Sequence, residues 1–135
     1  MPQRTNEKQQ VIEMLKKLLA PQGCIVTPSK MLLDCELNEL REVDVVAEMT
    51  VDGHLFAQSF EVVGRGRPMD ITWVDGMIRK HETLPTDRLY LVSWSGFTEA
   101  ALKRAQATAK VFPVTVEPAP GAASLYADQI HVAAS

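Results

Sequence analysis

The chain has 135 residues, 46% of them hydrophobic and 23% charged, enough to bury roughly two-thirds of its unfolded surface in one core and too few for two full domains. Its 14 Lys and Arg stand against 17 Asp and Glu, a formal net charge of -3, which speaks against nucleic-acid binding through bulk positive charge, because phosphate neutralisation needs clustered cations. No apolar run approaches the ~20 residues of a membrane span and the first residues form no apolar export core, so a cytoplasmic protein without a membrane partner is expected.

Over residues 5–19 the apolar Val11, Ile12, Leu15, Leu18 and Leu19 recur every three or four positions, the stripe of an amphipathic helix that Pro21 and Gly23 stop. Residues 24–27 read as a short strand, Pro28-Ser29 as a break, 31–33 as a second short strand and 34–39 as a polar loop. Cys24 and Cys35 have neither CxxC spacing nor a partner histidine pattern, and are expected as reduced, buried thiols. Two alternating runs, 43–51 and 54–62, flank Asp52-Gly53, the strongest short-range signal for a two-residue hairpin. Asp70 is placed to cap a helix carrying Trp73, Val74, Met77 and Ile78 on one face and bounded by Pro85. Residues 88–94 are nearly continuously apolar, as in a strand buried on both faces, and are followed by a helix over about 99–110 and a strand over 111–116. Strand, helix and strand in that order imply a right-handed crossover and parallel pairing. The chain is thus an α/β protein, α-β-β-β-α-β-α-β, with a mixed central sheet flanked by helices. Residues 1–117 form the domain; 118–135 form a linker and a C-terminal extension whose residues 124–132 suit a terminal strand or an extended arm.

The hairpin has chemical consequences. With Asp52 and Gly53 as its loop, Val51 pairs with His54 and Asp44 faces Glu61. Val43, Val45, Ala47, Met49 and Val51 then share a core face with Phe56, Phe60 and Val62. On the other face Asp44 and Glu61 oppose each other with Cβ atoms about 5 Å apart, which costs energy unless a shared proton, an adjacent cation or a bound metal offsets it. Oxygen ligands of this kind suit Mg²⁺ or Mn²⁺. The plainer alternative is a solvated pair neutralised by Arg41, Arg65 or Arg67.

The residues 41–46, the hairpin, Glu61 to Asp70 with its Gly64-Arg65-Gly66-Arg67-Pro68 run, Trp73-Val74, and Leu91-Val92-Ser93-Trp94-Ser95-Gly96-Phe97-Thr98 with Ala101 and Ala105 together resemble the restriction-endonuclease-like PD-(D/E)xK nuclease superfamily, most of all its Mrr-like branch. The likeness spans about residues 7–116. It implies a restriction-endonuclease-like core, a Mg²⁺- or Mn²⁺-dependent hydrolysis of DNA phosphodiester bonds in restriction, defence or repair, and a catalytic, metal-binding pair at Asp44 and Glu61 with the Val62 carbonyl as third ligand. A helical glutamate assists in this family, a place that Glu7 or Glu13 can fill; either can equally be a solvated helix charge.

One position departs from the family pattern. Where its members carry the signature Lys this chain has Val63, which supplies neither a proton nor a positive charge, and loss of such a donor costs ~10²–10³ in rate. Arg79 and Lys80, on the helix after Asp70, are candidates for a relocated cation or ordinary surface charges. Arg65 and Arg67 form the one basic cluster near the carboxylates, suited to holding a phosphate backbone or to balancing the acidic pair. The segment from Ser93 to Glu99 offers a helix N-terminus to a phosphate, or simply a capped helix start. His54, His81 and His131 show no metal spacing. Two functions follow: a metal-dependent nuclease acting on DNA, or a catalytically inactive nuclease-derived module that binds a protein partner, a second copy of itself or nucleic acid.

Overall fold

A computed structural model of the chain describes residues 3–119 and 122–124. Its elements run α1 (Gln3–Leu19), β1 (Ile25–Asp34), β2 (Glu39–Val51), β3 (His54–Val63), α2 (Ile71–His81), β4 (Arg88–Ser93), α3 (Glu99–Ala107), β5 (Val111–Thr115), β6 (Glu117–Ala119) and β7 (Ala122–Ser124). β1 to β5 form one sheet in sequence order, antiparallel through β3 and parallel from β3 to β5, as the strand–helix–strand alternation predicts.

The sheet is covered on both faces. The α1 stripe Val11, Ile12, Leu15 and Leu19 packs on Val45, Ala47, Phe60, Val62, Val92 and Val114. On the other face Val74 of α2 and Ala101 and Ala105 of α3 pack on Leu89, Leu91 and Val111. From Leu89 to Val92 β4 therefore alternates between two cores, which is why these four successive residues are all hydrophobic. Phe60, Tyr90 and Phe112 lie on three successive strands and stack at 4.7 and 5.2 Å between centroids, fastening β3, β4 and β5 under α1.

Several expectations are corrected. β1 is one continuous strand through Pro28-Ser29, because it is the sheet edge, where proline's missing donor is tolerated, and because Ser29 takes a left-handed φ of 50°. Ser29 and Asp44 form no rung, although the rungs on either side keep one register. This irregularity turns Val43 away from the α1 face: it packs with Val46, Ala57, Leu32 and Leu84 on the opposite side. α3 ends at Ala107, three residues early, since Lys110 is left-handed (φ 67°) and its carbonyl already accepts from Leu89 N–H. The stretch expected as a linker begins with the short antiparallel β6–β7 pair, and residues 125–135 lie outside the described residues. Cys24 is buried but Cys35 is exposed; neither forms a disulfide. No described helix is long and apolar enough to cross a membrane.

Candidate active site

The β2–β3 hairpin closes through Asp52 (φ 50°) and Gly53 (φ 80°), the left-handed pair of a tight primed turn. Its register runs from Val51 opposite His54 to Val45 opposite Phe60, then stops. Asp44 and Glu61 come together one step beyond, where the strands part and their carboxylates reach backbone. Asp44 Oδ2 accepts the Val62 N–H at 2.8 Å, and Glu61 Oε1 accepts the Asp44 N–H at a long 3.4 Å.

The like charges are offset by adjacent cations. Lys8 of α1 places Nζ 2.8 Å from Asp44 Oδ1. From α2, Lys80 Nζ and His81 Nε2 each stand 2.8 Å from Glu61 Oε2, and Lys80 also donates to the Glu42 carbonyl at 2.7 Å. Glu61 is only 2% exposed. Its burial pushes the carboxyl pKa up, but hydrogen bonds from His81 and Lys80 and their charges outweigh it and hold the group below the ordinary carboxylate value.

Beside Asp44 lies a cleft of about 480 Å³ whose lining comprises Lys8, Glu42, Asp44, Val62, Val63, Trp73 and Met77; Glu61, Lys80 and His81 lie behind Asp44 and are not part of that lining. Val63 is an apolar group in the cleft wall. The Val63 carbonyl accepts from Trp94 N–H toward β4. Val62, whose N–H goes to Asp44, accordingly turns its backbone polar edge, carbonyl included, toward β2 and the acidic pair.

The remaining candidates separate. Glu7 is buried, but its two oxygens accept the Arg65 N–H and Nη1, both at 2.9 Å, so it anchors the loop after β3. Glu13 is exposed and held by Gln9, away from the cleft. Arg79 points outward to Glu36 and Glu82, and Arg41 goes to Asp34. Arg65 lies over the Trp94 ring at 4.6 Å and pairs with Glu7, so it does not balance Asp44 and Glu61; Arg67 is exposed on the same loop. Ser93, Ser95 and Thr98 serve the architecture: Ser93 Oγ donates to the Gly96 carbonyl, Ser95 Oγ accepts Gly66 N–H, and Thr98 caps α3 through Ala101 N–H. Lys8 was not singled out from the sequence and His81 was read there only as a histidine without metal spacing, though a signal exists for each. His81 continues the Trp73, Met77 and Lys80 face of α2, and Lys8 extends the Ile12, Leu15 and Leu19 stripe by one turn.

Among the described residues no three His, Cys, Asp or Glu side chains gather as a metal cluster. Two carboxylates and one carbonyl are nonetheless a normal protein share for Mg²⁺, whose remaining places go to water and phosphate. The donor set fits such an ion if Lys8 leaves Asp44 Oδ1, since among the described residues Glu61 Oε1 accepts only the one long hydrogen bond.

No family model matches the chain, and none of the curated proteins matches it. Among solved structures it is similar to the crystal structure of AF1548, a protein of unknown function, at 19% identity and a TM-score of 0.56 over 73% of this chain. The match spans 53% of that protein's length, and the likeness is one of fold.

Proposed function

We propose that this chain is a metal-dependent nuclease-like domain on a restriction-endonuclease-like core, hydrolysing DNA phosphodiester bonds, in which Lys80 takes the place of the cation missing at Val63. The observation that carries the reading is the 2.8 Å contact of Lys80 Nζ with Glu61 Oε2: a cation reaches the acidic pair from α2 instead of from β3. Asp44, Glu61 Oε1 and the Val62 carbonyl would hold Mg²⁺ or Mn²⁺, which supplies Lewis-acid polarisation of the phosphodiester and a more acidic water. Lys80 donates to oxygens at the pair and offsets charge that develops there. Lys8, once displaced from Asp44, is free to meet a phosphate oxygen, and Val63, Trp73 and Met77 give the cleft an apolar part to its lining.

The test is nicking of supercoiled DNA in Mg²⁺ and in Mn²⁺ by the wild type and by Asp44→Ala and Glu61→Ala. Cleavage by the wild type and its loss in both variants is expected. No cleavage with either ion, or cleavage that both variants retain, would contradict the reading.

A second reading, an inactive nuclease-derived module that binds a protein partner, is favoured by a different observation. All four carboxylate oxygens of the pair already accept from nitrogen donors, and the β1–β2 hairpin exposes Met31, Leu33, Leu37 and Leu40, with Leu33 and Leu40 directly opposed. A wild-type protein that binds no divalent ion in calorimetry and cleaves nothing would favour it.

A further inference from the structure

His81 is 7% exposed and has both ring nitrogens engaged. Nε2 stands 2.8 Å from Glu61 Oε2, and Nδ1 stands 2.7 Å from Thr86 Oγ1, which is itself 2.9 Å from Ser59 Oγ. Four side chains from β3, α2 and the loop before β4 form one chain of hydrogen bonds, ending at a fully buried serine.

The direction of that chain follows from its end. An ionised carboxylate has no proton to give, so Nε2 must carry the hydrogen and donate it to Glu61. With an unprotonated Nδ1, the Thr86 hydroxyl donates to the ring and Ser59 donates to Thr86; with a protonated Nδ1 both hydroxyls turn around, and Nε2 still donates. Either way Thr86 and Ser59 fix the plane of the ring and leave Nε2 one partner. Glu61 Oε2 then receives His81 and Lys80 together, whereas Oε1 has, among the described residues, one contact, at 3.4 Å with Asp44 N–H.

We infer that His81 is a positioning residue for Glu61: the Ser59–Thr86–His81 chain locks Oε2 against α2 so that Oε1 is presented beside Asp44. The inference deepens the nuclease reading and rests on it for the ion that Oε1 would meet. Hydrogen-bonded supports of ligating carboxylates are a recognised control on metal affinity, where their removal costs 10–100-fold. Thr86 is the informative place to intervene, because it touches neither the cleft nor Glu61, and valine replaces it with the same shape.

The experiment uses the full chain and two measurements. Long-range ¹H–¹⁵N NMR of the histidine rings, with His81→Gln to assign the signals, reads which nitrogen bears the proton. Calorimetric titration with Mn²⁺ compares the wild type with Thr86→Val and Thr86→Ser. A protonated Nε2 is expected in the wild type, with Mn²⁺ affinity falling about tenfold in Thr86→Val and recovering in Thr86→Ser, where the hydroxyl returns. A merely structural threonine would move stability and leave the ring proton and the affinity alone. An unprotonated Nε2, or a Thr86→Val protein with wild-type affinity, overturns the inference. If the wild type binds no Mn²⁺, the metal-dependent reading fails by itself, and the Nε2 proton alone then decides whether His81 clamps Glu61.

Discussion

Lys8 and a divalent ion compete for the same oxygen, Asp44 Oδ1. On the proposed reading Lys8→Met is expected to tighten Mn²⁺ binding, by up to about fivefold if the partly exposed pair is worth the ~1 kcal/mol of the better surface pairs. Calorimetry checks this; a weaker affinity would mean that Lys8 helps to hold the ion rather than to exclude it. The same residues show how far the sequence could be read. Asp44 and Glu61 were legible because an Asp-Gly turn fixes the register of two strands, and register decides which side chains meet. Lys80 and Arg79 were indistinguishable candidates, since one helical step is about 100° of rotation and only packing decides which of them faces the sheet. Lys80 lies on the side of α2 that Trp73 and Met77 turn to the cleft and reaches Glu61, while Arg79, one step round, goes to Glu36 and Glu82.

The β1–β2 hairpin extends past the rest of the sheet, and Asp34 ties its tip. Asp34 Oδ1 accepts the Glu36 and Leu37 N–H groups at 2.9 and 3.0 Å, and Cys35 N–H donates to the Thr83 carbonyl at 3.0 Å. The Leu37 N–H bond, opposed by burial and aided by Thr83, Glu36 N–H and Arg41, holds the Asp34 carboxyl below the ordinary carboxylate value. A group whose pKa is lower folded than unfolded adds stability above its unfolded value, about 3.9, and loses it as pH falls through the lower folded value. Urea midpoints measured from about pH 5 downward should therefore fall less steeply for Asp34→Asn than for the wild type. Equal slopes would show that the tip does not unfold with the domain. At the other hairpin, Gly53 holds a φ of 80°, and a methyl group added there would meet nothing within 4 Å. Gly53→Ala should therefore cost about 1 kcal/mol from backbone strain alone, read as a shifted midpoint at unchanged m-value. The sequence marked the Asp52-Gly53 turn, and read residues 34–39 as a polar loop without a hairpin. It marked Pro28-Ser29 as a break but not that Asp44 drops out of pairing opposite Ser29, because two residues that drop out together leave the register on either side intact.

Across the molecule, α1 covers one face and α2 and α3 the other, and the cleft opens where the N-terminal turns of α1 meet the α2 side across the parting of β2 from β3. The parallel pairing of β4 with β5 was legible from crossover logic and the doubly buried β4 from its composition, whereas the strand order was not read. The convergence of Lys8, Lys80 and His81 on two strand carboxylates was not, since it depends on helices from opposite faces reaching the same strand ends. That convergence gives the mildly acidic chain a locally neutralised site, so a net charge of -3 is no bar to a phosphate substrate. Cation relocation is tested most directly by DNA nicking in Mn²⁺ with Lys80→Ala and with the double variant Lys80→Ala/Val63→Lys. Loss of ~10²-fold or more in Lys80→Ala, with part of the activity restored when the lysine is returned from β3, is the expected result. Wild-type cleavage by Lys80→Ala would contradict it.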